Sequence, residues 1–130
     1  MLSVLVVDDD TAVRSVLVRY LQHRGCEVVS APNGLDGAAQ VRRRAFDIVI
    51  SDVSMPGHGG LWLWEQALAM RPELHGRFML MSATPLQDNR RTRLFLESER
   101  FLPKPFLLAT LWGEMQKIVE LVEGERQQSA

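Results

Sequence analysis

Asp8, Asp9 and Asp10 follow directly on the apolar run VLVV at 4–7, and Asp52 follows directly on a second such run, DIVIS at 47–51. Carboxylates gathered at one place repel by several kcal/mol, unless protons or a cation neutralise them. Oxygen ligands with no histidine or cysteine among them select a hard ion, and one or two direct carboxylates plus water select Mg²⁺ completed by a phosphate group. A carboxylate in such a site is a nucleophile for phosphorus, and the product is an aspartyl phosphate. Ser82 and Thr84, around the end of FMLMS (78–82), and Lys104, just after FLP (101–103), supply hydroxyls and a cation. Lys104 and Ser82 would hold the charged equatorial oxygens, because phosphoryl transfer rests on positioning and electrostatics.

These residues work together only if the chain brings the ends of its apolar runs to one edge. The runs VLVV, EVVSA (27–31), DIVIS, FMLMS and FLP are continuous rather than alternating, the pattern of strands buried on both faces of a parallel sheet. Helical periodicity fills the gaps. Val13, Val16, Leu17, Tyr20 and Leu21 form one stripe, with Gly25 placed as a C-cap. Leu108, Leu111, Trp112, Met115, Ile118, Val119 and Val122 form another. A second helix over 34–44, entered through an Asn33-Gly34 turn, has a thinner face of Leu35, Ala38, Ala39 and Val41. A third follows Gly59-Gly60 and stops before Pro72, and a fourth falls within 86–96. Five strands alternating with five helices predict an α/β fold with a parallel sheet; taken as flavodoxin-like and doubly wound, its strand order is 2-1-3-4-5. Ligands of such sheets bind beyond the carboxyl ends of the strands, where strands one and three are neighbours, so Asp8 and Asp9 meet Asp52.

The chain has 130 residues, 46% hydrophobic and 24% charged, which suits one domain with a substantial core. That domain is expected over 1–122, with EGERQQSA (123–130) as a frayed polar tail and no output domain after it. Fifteen basic residues against sixteen acidic ones leave a net charge of -1, without the basic field that draws proteins to nucleic acid or anionic lipid. Cys26 is the lone cysteine, there is no signal-peptide pattern, and no apolar run approaches the ~20 residues that span a bilayer. The expected compartment is the cytoplasm, with no membrane contact.

Four linked stretches, VLVVDDD, DIVISDVSMPG, LMSA and FLPKPF, resemble in order and spacing the receiver domain of two-component response regulators over nearly the whole chain. The resemblance implies that Asp52 accepts a phosphoryl group from a histidine kinase or histidine phosphotransfer protein. It implies Mg²⁺ held by Asp9, Asp52 and the Ser54 backbone carbonyl, with Asp8 acting mainly through water, and Lys104 on a phosphoryl oxygen. Ser82 and Phe101 become a switch pair, Lys104-Pro105 a cis peptide, and Ser54 and Thr84 the small residues flanking the hydrolytic water. Output is expected through helix four, strand five and helix five, toward a downstream protein. A homodimer through helix five is open to it, because Leu107 and Leu121 fall outside the core stripe.

Other chemistries compete for the same residues. Haloacid dehalogenase-type hydrolases end their first strand in D-x-D followed by x-T; Asp8 and Asp10 match the pair, and Ser82 and Lys104 could serve as later motifs. Thr11 stands one place early, however, no aspartate follows Asp88, and Asp52 would be idle. A receiver-like module that binds without phosphate is the third class, and the acidic triad with Lys104 weighs against it. Ordinary structural roles claim several other residues. Asp10 caps the first helix, with Thr11 competing, and Asp47 is an exposed turn residue. His58 is a solvent-facing loop histidine beside a Gly59 that loosens its loop. One of Trp62 and Trp64 enters the core, the Arg42, Arg43 and Arg44 run is a solvated helix end, and Arg90, Arg91 and Arg93 either meet a partner or are simply solvated.

Overall fold

The computed structural model describes residues 1–129. Strands and helices alternate: β1 (Ser3–Val7), α1 (Thr11–His23), β2 (Glu27–Ala31), α2 (Gly34–Arg43), β3 (Ile48–Asp52), α3 (Gly60–Met70), β4 (Phe78–Ser82), α4 (Arg90–Ser98), β5 (Arg100–Pro103) and α5 (Leu108–Ser129). A short 3-10 turn, Pro72–Leu74, follows α3. The sheet is wholly parallel in the order β2-β1-β3-β4-β5, as the sequence predicts. Register sets the edge level: Val7 lies opposite Ser51 and Asp52 opposite Met81, so Asp8 and Asp52 leave adjacent central strands side by side.

Alternate residues of the strands feed two apolar layers. Leu5, Val7, Val49, Phe78 and Leu80 pack with Val41 of α2, Leu63, Trp64 and Ala67 of α3 and Phe95 of α4. Val4, Val6, Ile48, Ile50, Met79 and Met81 pack with Leu17 and Leu21 of α1 and Leu111, Met115 and Ile118 of α5. Continuous burial holds for β4 and most of β1 and β3, whereas the edge strands β2 and β5 are only partly covered.

Helix ends follow local chemistry. Gly25 takes φ +85°, and the bonds Cys26 N–H to Leu21 O and Gly25 N–H to Gln22 O (both 3.0 Å) close α1 as a Schellman motif. Asn33 is the N-cap of α2, its side chain accepting from Asp36 N–H, so Gly34 is the first helical residue rather than part of a turn. Helix α4 begins at residue 90, within the expected 86–96 window, because Asn89 caps it by accepting from Thr92 N–H, and it runs on to Ser98.

Three expectations need correction. Val16 and Leu35 are exposed rather than buried, each lying at the margin of its stripe. Residues 123–129 continue α5 instead of fraying: Glu, Arg and Gln are good helix formers, and Glu125 pairs with Arg77. Asp47 is not an exposed turn residue; its carboxylate accepts the Ser3 N–H at 2.9 Å and lies 3.9 Å from Arg77. The Val122 side chain, last of the expected α5 stripe, and Ala130 lie outside the described residues.

Candidate functional site

Three strands deliver the site. Ligand oxygens of Asp8, Asp9 and Asp52 lie within 4.8 Å of one another, with Asp8 buried, Asp52 half-buried and Asp9 exposed. Lys104 bridges two of them, its Nζ donating to Asp8 Oδ2 at 3.2 Å and to Asp52 Oδ2 at 3.1 Å. Asp8 Oδ1 accepts the Asp10 N–H at 2.9 Å. Burial pushes the Asp8 carboxyl above its ordinary pKa; the Asp10 N–H and the Lys104 ammonium oppose this without cancelling it. Burial alone would pull Lys104 down, but the bond and field of Asp52, then those of Asp8, outweigh it and hold the amine above its usual value. Lys104 therefore stays cationic at neutral pH. The acids outnumber it three to one.

This donor set fits a hard divalent cation. Three carboxylates converge, one already in the interior, and their charge exceeds what a single lysine neutralises.

The remaining expected residues fall around this centre. Ser82 is buried at the end of β4; its Oγ accepts the Thr84 N–H at 3.1 Å and lies 3.2 Å from Thr84 Oγ1. Thr84 and Ser54 are exposed, and Ser54 N–H donates to Asp52 Oδ1 at 3.2 Å. Phe101, opposite Leu80 in β5, is half-buried against the α3 and α4 side of the core. The Lys104-Pro105 peptide is cis, and Lys104 N–H donates to Ser82 O at 2.8 Å, tying the two site-bearing loops together.

Asp10 is the N-cap of α1, its Oδ1 accepting the Ala12 and Val13 N–H groups. The second carboxylate of the rival D-x-D pair is thus committed to the helix. His58 stands outside the acidic cluster, exposed, its ring stacked on Trp62 with centroids 3.9 Å apart. Trp64 is the core tryptophan, edge-on to Phe95 at 5.1 Å.

Gly59 does not loosen its loop. A Cβ there would lie 2.3 Å from Val53 O, and one on Gly60 would lie 2.5 Å from Asp52 O, so α3 starts against the backbone that carries Asp52. Arg44 is bound to Glu27 rather than merely solvated. Arg91 and Arg93 pair with Glu65 and Asp88. Sequence reasoning missed Arg14, whose Nη1 donates to the Asp8 carbonyl at 2.6 Å, and Glu99, a buried carboxylate that accepts the Gly76 and Phe78 N–H groups. Neither lies in an apolar run or at the ligand edge, where the sequence signal is found.

Residues 4–116 match the response regulator receiver domain. The chain belongs to that family. Among curated relatives, the transcriptional activator protein PfeR of Pseudomonas aeruginosa is 34% identical over 122 residues, covering 94% of this chain and 39% of that one. The receiver spans about half the length, or less, of the curated relatives it matches. Among solved structures, Vibrio cholerae chemotaxis protein CheY4 superposes with a TM-score of 0.82 at 26% identity, covering 91% of this chain and 98% of that one. The receiver domain of the sensor histidine kinase PA1611 from P. aeruginosa, solved with magnesium in its active-site cleft, shares the fold: TM-score 0.80, 22% identity, 92% and 98% coverage. No helix among the described residues is long and apolar enough to cross a membrane.

Proposed function

We propose that this receiver takes a phosphoryl group onto Asp52 from a histidine kinase or histidine phosphotransfer protein and signals by protein contact in the cytoplasm. The observation that carries this is the Lys104 bridge to Asp8 and Asp52 inside a cluster of three carboxylates. Asp8, Asp9, Asp52 and the Ser54 carbonyl would hold Mg²⁺, which supplies positive charge to the transferring group. The PA1611 receiver, which shares the fold and was solved with magnesium in its active-site cleft, supports that choice of ion.

An Asp52 oxygen attacks phosphorus as the bond to the donor nitrogen breaks, and the nitrogen keeps the electron pair and takes up a proton. Lys104 is the cation that faces the new phosphoryl oxygens, and its raised pKa keeps it charged for that purpose. A groove of about 610 Å³ adjoins Lys104, lined by Ala12, Val13, Val16 and Leu17 of α1, by Phe106 between β5 and α5, and by Leu108 at the start of α5. Its apolar lining suits the donor protein, and it explains why Val16 is exposed.

Ser82 turns its hydroxyl from Thr84 to the phosphoryl group, and Phe101 moves into the vacated space, shifting an equilibrium on the face of α4, β5 and α5. Leu94 and Leu96, on opposite flanks of α4, and Leu121 of α5 are exposed, so each of these helices offers apolar surface to a target protein or a second copy of the chain. Ser54 and Thr84 are small and exposed, so water reaches the acyl phosphate and its lifetime is short. Acetyl phosphate with Mg²⁺ should label the protein, detected as added mass, and Asp52→Asn should abolish the label. Unchanged labelling in that variant would sink the assignment, and a label persisting for many hours would contradict the short lifetime.

A further inference from the structure

Asp9 is an exposed metal-site carboxylate whose side chain makes no hydrogen bond or ion pair among the described residues. Its direction therefore depends on the backbone that carries it. Two bonds fix that backbone. On one side the Asp10 N–H is held by Asp8 Oδ1 at 2.9 Å, within the loop itself. On the other, Arg14 reaches back from the first turns of α1, and its Nη1 donates at 2.6 Å to the Asp8 carbonyl, the oxygen of the Asp8–Asp9 peptide. No carboxylate pairs with Arg14 among the described residues, and this carbonyl is its hydrogen-bond partner. A guanidinium is costly to leave half-buried without a counter-ion, so a lone bond to one backbone oxygen calls for an explanation.

We propose that Arg14 is a positioning residue for the acidic site: it fixes the Asp8–Asp9 peptide plane and so aims the Asp9 carboxylate at the cation. This rests on the Mg²⁺ reading above. A peptide plane sets ψ of the residue before it and φ of the residue after it, so holding the carbonyl constrains both metal-site aspartates at once. The bond also ties the plane to α1, a rigid element, which keeps an exposed ligand from sampling other directions. Asp8 gains from the same bond, because its carbonyl is held by Arg14 while its buried side chain is held by Lys104.

Charge and geometry make opposite demands here, and that gives the test its sign. Removing a nearby positive charge should tighten binding of a cation. Removing a pin that orders a ligand should weaken it, by about tenfold for residues that orient metal ligands through a second contact. Mg²⁺ titration by calorimetry of the parent, Arg14→Gln and Arg14→Lys at equal ionic strength separates the two. The amide resonances of Asp9 and Asp10 in metal-free protein provide a second readout.

Arg14→Gln should bind Mg²⁺ about tenfold more weakly and broaden or shift both amides, and Arg14→Lys, with one donor nitrogen instead of a fork, should lose only about threefold. Equal or tighter Mg²⁺ binding in Arg14→Gln overturns the positioning role. If the glutamine variant does not fold, the lysine variant carries the test, and an affinity matching the parent overturns the role. A parent that binds no Mg²⁺ refutes the metal reading and this role with it, an outcome distinct from a parent that binds and variants that bind equally well.

Discussion

Lys104→Met tests the electrostatic logic of the site, because methionine keeps roughly the length of the stem and removes the ammonium with its charge and its two hydrogen bonds. In the parent, the ammonium sits 3.2 Å from Asp8 Oδ2 and 3.1 Å from Asp52 Oδ2. The gross attraction is about 5 kcal/mol per contact at an effective dielectric of about 20. Desolvation offsets much of it, and breaking a buried pair costs about 3–5 kcal/mol net. The Lys104 side chain is 20% exposed, which lets water stand in for part of the lost charge. The expected loss in metal-free protein at pH 7.5 is therefore about 2–3 kcal/mol.

The loss must depend on pH. Asp8 already has a raised pKa in the folded protein, so its contribution favours folding below its ordinary value of 3.8 and is lost as pH rises through the folded value. Removing Lys104 raises the folded value further and widens that window. The gap between parent and variant should thus be small near pH 4 and full at pH 7.5. The raised pKa of Lys104 itself adds stability that is lost only above 10.5, outside this range. Urea melts at pH 4 and 7.5, with chelator or with saturating Mg²⁺, measure the gap. Mg²⁺ should narrow it, since a ligand at 100 times its Kd stabilises by about 2.7 kcal/mol and the variant has more uncompensated charge to offer it. An equal loss at both pH values, or a gap that Mg²⁺ leaves unchanged, would refute the reasoning.

Asp8→Asn keeps the acceptor for the Asp10 N–H and removes a buried charge; the metal-free protein should gain about 0.5–2 kcal/mol in a urea melt while Mg²⁺ binding weakens in calorimetry. Gly60→Ala places a methyl 2.5 Å from Asp52 O and 2.6 Å from Leu80 Cδ2, so about 1–3 kcal/mol of stability should be lost and labelling by acetyl phosphate slowed. Ser82→Ala should still be labelled on Asp52, but the chemical-shift changes that beryllofluoride induces in α4 and β5 should shrink; full-sized changes would remove Ser82 from the switch.

The strands and the acidic cluster were legible in the sequence, because continuous apolar runs mark a parallel sheet and such a sheet gathers the residues just past its strands at one edge; their order followed from the resemblance to a known fold rather than from the runs. Less legible were residues whose role depends on a partner distant in sequence. Asp47 reads as a turn residue until Ser3 N–H and Arg77 are seen beside it. Arg14 reads as a helix-surface cation until its bond turns back to Asp8. The 123–129 segment shows no periodicity, yet helix propensity and the Glu125 to Arg77 pair carry α5 through it.

Two buried carboxylates, Asp8 and Glu99, show why burial alone does not mark a working site. Glu99 lies at the opposite edge of the sheet, just before β5, and accepts the Gly76 N–H at 2.7 Å, the Phe78 N–H at 2.9 Å and the neighbouring Ser98 hydroxyl at 2.9 Å. Two of those donors are backbone groups that nothing displaces, so the charge is satisfied permanently and the residue clamps the entry of β4 to the end of α4. Asp8 has one backbone donor and depends for the rest on Lys104, a side chain shared with Asp52. A carboxylate satisfied by a movable cation can exchange it for another, whereas one satisfied by fixed amides cannot. Burial holds the Asp8 pKa up against the pull of the Asp10 N–H and Lys104, so its charge at the carboxyl edge of β1 and β3 leans on a side chain that a second cation can relieve.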